Sequence, residues 1–213
     1  GDIEGKDSKE DPRIDIRILS QTEEAQIGAR SALANLPRES DSHVDSIVVW
    51  DIGGGSMQLT APASGKIYAG DLASVTFKNQ VIRDVLKKDP DIVKSPNPLN
   101  KSANRATTIA RTHAAKHVDV FFKKAALRWI GIGGVLALSV QKQVDREVQP
   151  SRSGPPSFTL KALAQTLKNR STRKDEEIES EYRETEVTNL ALVLGYMQAL
   201  KIDKVETAEA REI

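Results

Sequence analysis

The sequence predicts an α/β domain whose ligand contacts come from loops beyond strand ends. Three observations lead there. An apolar run, Ile47-Val48-Val49-Trp50, passes into Asp51-Ile52 and a triple glycine, then resumes as the short strand Met57-Gln58-Leu59-Thr60. A second strand, Leu127 to Val135, runs into Gly131-Ile132-Gly133-Gly134. Between the two lies a long helical pattern.

Taken in order, residues 1–13 are charged and without periodicity, which predicts a flexible terminus. Ile14-Asp15-Ile16-Arg17-Ile18-Leu19 alternates as a strand does. Ser20 with Glu23 three residues on forms a capping box, which predicts a helix through Leu33. Ala25, Ile27, Ala29, Ala32 and Leu33 are its expected buried side. Pro37 to His43 is a polar loop. After the glycine hairpin, another strand is expected near Lys66–Leu72, then a helix carrying Val75, Phe77, Val81, Ile82 and Val85. Asp89 to Asn100 holds Pro90, Pro96 and Pro98 and reads as a surface loop.

Arg105 to Lys124 has helical spacing, with Ile109, Ala110, Ala114, Val118 and Phe121 near one face. Leu136 to Val144 suits a helix behind the second glycine turn. Pro150, Pro155 and Pro156 break the chain. These boundaries divide it into the main domain, 14–148, and a helical part of the same domain, 149–213. In that part, Thr159 caps a helix through Lys168, and Asn169 to Glu184 reads as a solvated helix of mixed ion pairs. Val187 to Leu200 is the most apolar helix, with Gly195 inside it for close packing. Val205 begins a last short element.

Composition narrows the function classes. Lys and Arg number 31 against 30 Asp and Glu, a net charge of +1, which argues against nucleic acid or an anionic membrane as the main partner. The absence of Cys excludes disulfides, thiolate catalysis and Cys-based zinc sites. No stretch approaches the roughly 20 apolar residues that span a bilayer, and no signal peptide is visible, so a cytoplasmic location is expected. The chain starts at Gly1 without Met, which suggests a part of a longer polypeptide.

Glycines in mid-hairpin cost backbone entropy, which makes sense where a ligand must touch the main chain. N–H groups in such a turn cradle anionic oxygens. Asp51 at the strand end suits a divalent cation or a held water; the plainer alternative is a hairpin whose Asp51 caps its own loop. Lys66, Lys78, Lys94, Lys101, Arg105 and Arg111 are the basic side chains that could follow a phosphate chain, or ordinary surface charges. His113 and His117, four apart, can align on one helix face as a two-histidine metal site or stand as two solvated histidines. His43 lies in a polar loop without an evident partner ligand.

Asp51-Ile52-Gly53-Gly54-Gly55-Ser56, preceded by Ser20-Gln21-Thr22-Glu23-Glu24-Ala25 and followed by Gly131-Ile132-Gly133-Gly134, resembles the exopolyphosphatase / guanosine pentaphosphate phosphatase family of the actin–sugar kinase–Hsp70 superfamily. The resemblance runs from about Ile14 to Arg211-Glu212. It implies a ribonuclease-H-like lobe, a mixed sheet with flanking helices, one of two lobes around a cleft. This chain resembles the second lobe, so the first lobe of the same protein is an implied partner. A lobe parted from it would expose apolar surface and could self-associate as a homodimer.

The resemblance further implies phosphoanhydride hydrolysis with Mg2+, or Mn2+ in its place, on polyphosphate or guanosine pentaphosphate. Activity is expected of the full-length parent, since one wall of a cleft holds phosphate from one side only. Glu24 looks like the glutamate that activates the attacking water. Asp51 looks like a metal-holding acid, with Gln58 at a second metal-ligand position. Gly53, Gly54, Gly55 and Ser56 look like the phosphate loop, and Gly133 and Gly134 like the second turn lining the cleft. The family has Ser-Thr-Glu where this chain has Ser56-Met57-Gln58; the neutral amide removes a charge that would hold Mg2+. That departure also fits a binding lobe without catalysis.

Overall fold

The computed structural model describes residues 18–34, 46–124, 126–150 and 154–208. A six-stranded sheet in the order β3-β2-β1-β4-β6-β5 forms its centre. The strands are β1 (Ile47–Ile52), β2 (Met57–Ala61), β3 (Lys66–Gly70), β4 (Arg128–Ile132), β5 (Ser157–Thr159) and β6 (Lys204–Thr207). β1, β4 and β6 run parallel; β2, β3 and β5 pair antiparallel at the edges. The helices are α1 (Gln21–Ala34), α2 (Ser74–Gln80), α3 (Ser102–His117), α4 (Gln141–Val148), α5 (Leu160–Arg170) and α6 (Arg183–Leu200). The mixed sheet with flanking helices is as expected.

Alternation along β1 divides the core. Val48, Trp50 and Ile52 face the larger layer, built on α2, α3 and α6. Ile47 and Val49, with Ile130 and Ile132 of β4, face α1 through Ala29 and Ala32. Because side chains alternate with period two, Asp51 falls on the α1 side. In the larger layer Trp50 meets Trp129 and Tyr196, each with ring centroids 5.9 Å away.

α6 is buried nearly all round, which explains its apolar sequence. Gly195 has the reason expected of it. A Cβ there would stand 2.6 Å from both Ala110 Cβ and Thr107 O, so α3 and α6 touch backbone to backbone. The capping box also forms: Ser20 N donates to Glu23 Oε2 (2.9 Å) and Glu23 N to Ser20 Oγ (3.3 Å). Thr159 Oγ1 caps α5 by accepting from Ala162 N (3.1 Å).

Several expectations change. Ile27 is 49% exposed, because α1 meets the sheet along the face of Glu24, its alanine stripe and Gly28, which leaves Ile27 outside. Val75 is exposed as well, at the first turn of α2 beside the glycine hairpin. The α2 region continues past Gln80 as π-helical turns at Val81–Val85. α3 starts earlier than expected and stops at His117, where Val118 turns extended; Phe121 lies in a separate 3-10 turn, Val120–Lys123. The helix behind Gly133 begins as π-helical turns, Gly134–Val140, and continues as α4.

Residues 169–184 are not one solvated helix. α5 ends at Arg170 and a short 3-10 turn, Asp175–Glu177, follows. The charges there pair across elements instead: buried Arg170 and half-exposed Arg173 both reach Glu147 Oε1, at 3.2 and 2.6 Å. The expected strand at Ile14–Leu19 falls mostly outside the described residues, and Ile18 and Leu19 are irregular and exposed. The 1–13 terminus and the Pro37–His43 loop lie outside them too. Among the described residues, no helix is long and apolar enough to cross a membrane.

Candidate active site

The carboxyl ends of β1 and β4 lie side by side, with Asp51 paired to Ile132. Ligands of open α/β sheets bind at such an edge. Both glycine turns leave the sheet here.

The β1–β2 hairpin closes where Gly53 N donates to Ser56 O (2.9 Å). The carbonyls of Gly53 and Gly54 accept from Ser74 N (3.1 Å) and Val75 N (2.8 Å), the first two residues of α2. The turn therefore satisfies part of that helix's free N-terminal donors. A trans peptide sets its N–H opposite its carbonyl, so the Gly54 and Gly55 N–H groups point away from α2. None of Gly53, Gly54 and Gly55 has a positive φ. An added Cβ would come no closer than 3.6 Å to anything at Gly53, 3.7 Å at Gly54, and would meet nothing within 4 Å at Gly55. All three are exposed. The fold does not itself demand glycine at these places, and the bare backbone faces open space.

Gly133 differs. Its φ is +78°, a conformation L residues rarely adopt, and a Cβ on it would collide with Asp51 Oδ1. Gly134 is open and starts the helical turns behind the site.

On the α1 side, Asp51, Gln58 and Gly133 converge with α1. Gln58 is paired across the hairpin with Asp51 and is buried. Its Nε2 donates to Glu24 Oε2 (3.2 Å) and to Ser56 Oγ (3.1 Å). This one amide joins the α1 glutamate to the glycine turn. Thr60 Oγ1, next on the same face of β2, reaches Ala25 O (3.5 Å). Gly28 lets the helix close in: a Cβ there would stand 3.3 Å from Ile132 Cδ1 and 3.9 Å from Asp51 Oδ2. Burial, and then the charge of Glu24, push the Asp51 carboxyl above its ordinary value. A cation at this edge would favour the charged form of Asp51.

The other side of the glycine turn opens on a cavity of about 670 Å3. Gly53, Gly54 and Gly134 form its edge, and Lys142 and Arg146 line it. Sequence reading passed over these two; their four-residue spacing behind the second glycine turn was the available signal. The basic residues it singled out stand elsewhere. Lys78 is buried and paired to Glu184 (3.1 Å), because α2 packs against α6. Lys66, Lys94, Lys101, Arg105 and Arg111 are exposed away from this cavity. Gly28 was also passed over as a site residue. Among the described residues, no three His, Asp or Glu side chains stand together as a metal cage.

Solved structures supply the comparison. An exopolyphosphatase-like protein matches with TM-score 0.60 and 15% identity, over 90% of this chain and 63% of its own. The Ppx/GppA family member of Aquifex aeolicus matches with TM-score 0.58 and 15% identity, over 87% and 58%. An exopolyphosphatase from Cytophaga hutchinsonii gives TM-score 0.58 and 13% identity, over 87% and 59%. The chain thus spans less than two thirds of the length of each. No protein-family model and no curated protein sequence matches it. At this identity the likeness is one of architecture: the chain has the fold seen in Ppx/GppA exopolyphosphatase-like proteins.

Proposed function

We propose that this chain forms one wall of a phosphohydrolase cleft that releases terminal phosphate from polyphosphate or guanosine pentaphosphate. The carrying observation is the Gln58 amide, which holds Glu24 beside the Asp51–Ser56 turn. The N–H groups of Gly54 and Gly55 bind the phosphoryl oxygens and stabilise the charge of the transferring group. Ser56 Oγ adds a polar contact. Glu24 orients a water and takes its proton as it attacks phosphorus. The leaving phosphate chain extends toward the cavity with Lys142 and Arg146.

Mg2+ fits this donor set. It prefers oxygen ligands and is commonly held by one or two carboxylates together with substrate phosphates and water. Asp51 would hold it, with Gln58 limited to a neutral contact and Glu24 left free to act on the water; Mn2+ accepts the same ligands. When bound, the ion neutralises charge on the phosphoryl oxygens. The first lobe of the same protein would supply the opposite wall.

Gln58 also favours a second reading, a polyphosphate- or nucleotide-binding lobe without catalysis, since an amide stands where the resembling family has a carboxylate. Phosphate release from both substrates, with Mg2+, separates the two in the full-length protein and its Glu24→Gln variant. Release that depends on Glu24 supports hydrolysis. Binding without release selects the second reading, and the absence of both overturns the two together.

A further inference from the structure

The cavity beside the glycine turn has a lining that a bare phosphate chain does not use. Among the described residues, eight large apolar side chains stand exposed, and three of them, Val75, Leu138 and Tyr182, meet on this one cavity. Its volume of about 670 Å3 is that of a small-molecule site. Its two cations, Lys142 and Arg146, face three carboxylates, Glu179, Glu181 and buried Glu186. Buried Gln143 adds one more acceptor to the lining. Its Nε2 donates to Glu186 O (3.0 Å) and Ser139 Oγ (3.2 Å). Its Oε1 is buried without a partner among the described residues.

We propose that this cavity is a guanosine subsite, which makes guanosine 5′-polyphosphates the tighter-binding substrates of the cleft. The proposal rests on the glycine turn as the phosphate site. With the terminal phosphoryl group at Gly54 and Gly55, the next phosphates pass Lys142 and the nucleoside enters the cavity. Tyr182 offers an aromatic face and Val75 and Leu138 apolar walls. The acceptors choose the base. Guanine presents N1–H and N2–H2 side by side, two donors that one carboxylate accepts together. Adenine sets the acceptor N1 beside its amino group, and here that acceptor would face other acceptors. Linear polyphosphate would meet three carboxylates and cover none of the apolar wall. GTP and guanosine pentaphosphate share the moiety this subsite recognises.

The test is calorimetric titration of the full-length protein, with Mg2+, by guanosine 5′-(β,γ-imido)triphosphate, its adenosine counterpart and tripolyphosphate. The guanosine analogue should bind more tightly than either of the others by about tenfold or more. Tyr182→Ala, at an exposed position, should weaken that analogue by about tenfold and leave tripolyphosphate unchanged. Glu179→Gln with Glu181→Gln, both exposed, should remove the preference for guanine over adenine. Competition against the analogue by GTP and by guanosine pentaphosphate shows which of the two the site prefers, and displacement by either supports it. Equal affinity for the three probes, or wild-type affinity for the guanosine analogue in Tyr182→Ala, overturns the subsite. Glu24-dependent release from polyphosphate would then leave the hydrolase reading standing. Guanosine binding without release of phosphate keeps the subsite and overturns hydrolysis.

Discussion

Asp51 and Gly133 meet where β1 and β4 end: the carboxylate occupies the space that a side chain on residue 133 would need. Gly133 also has φ +78°, so the close approach and the backbone conformation demand glycine together. Gly133→Ala should therefore cost about 1–3 kcal/mol. Gly55→Ala, at a position with open space and no positive φ, should leave stability within about 1 kcal/mol. Urea denaturation of both variants checks the contrast. Equal losses would mean that the two glycine turns do not differ as described.

Gln58→Glu would add a third carboxylate beside Glu24 and Asp51, in a buried position. Without divalent cation it should destabilise the fold at neutral pH by about 1–3 kcal/mol, through a buried like charge and a lost donor. Mg2+ should return part of that loss. Melting temperatures with and without Mg2+ show it, and an equal Mg2+ response in the wild type and the variant would contradict the placement of the cation.

The α3–α6 contact allows no methyl group at position 195. Gly195→Ala gains helix propensity of about 1 kcal/mol. It should still destabilise by about 1–3 kcal/mol net, because Ala110 and the α3 backbone cannot give way. A neutral or stabilising result in denaturant would show that the helices can separate.

Glu206 on β6 supplies the pH dependence. Burial alone would raise its pKa, but Arg128 and Lys204 outweigh burial and hold it below the ordinary 4.5. Arg128 Nη2 lies 2.7 Å from Glu206 Oε2. With the folded pKa lowered, the contribution is present above about 4.5 and lost as pH falls through the folded value. The pair is partly exposed, so the effect is about 1 kcal/mol or less and shrinks in salt. Glu206→Gln should lower stability at pH 7, and its difference from the wild type should shrink as pH falls through the folded value, as followed by denaturation along an acid series.

Much of this structure was legible because local signals agree with the global fold. The Ser20–Glu23 box and the Gly53–Gly55 hairpin each carry a cause within a few residues, while Gly133 and Gly195 stand out locally although Asp51 and α3 supply their causes. The long-range pairings were not legible. No local pattern places Gln58 against Glu24, because that contact depends on how α1 lies across β2. Charge density in 169–184 suggested a helix, yet Arg170 and Arg173 turn toward Glu147 on another element. Lys78 looked like a surface cation and is drawn inward by Glu184. Ile27 fitted a helical stripe that the narrow alanine contact with the sheet leaves in solvent.

Glu24, held by Gln58 at the glycine turn, is proposed to drive attack on a phosphoanhydride. Single-turnover release of terminal phosphate by the full-length protein, with Mg2+ and saturating polyphosphate, tests it most directly. Glu24→Gln should slow release by about 10²–10⁴-fold while polyphosphate binding persists. Release at the wild-type rate in that variant would contradict the account.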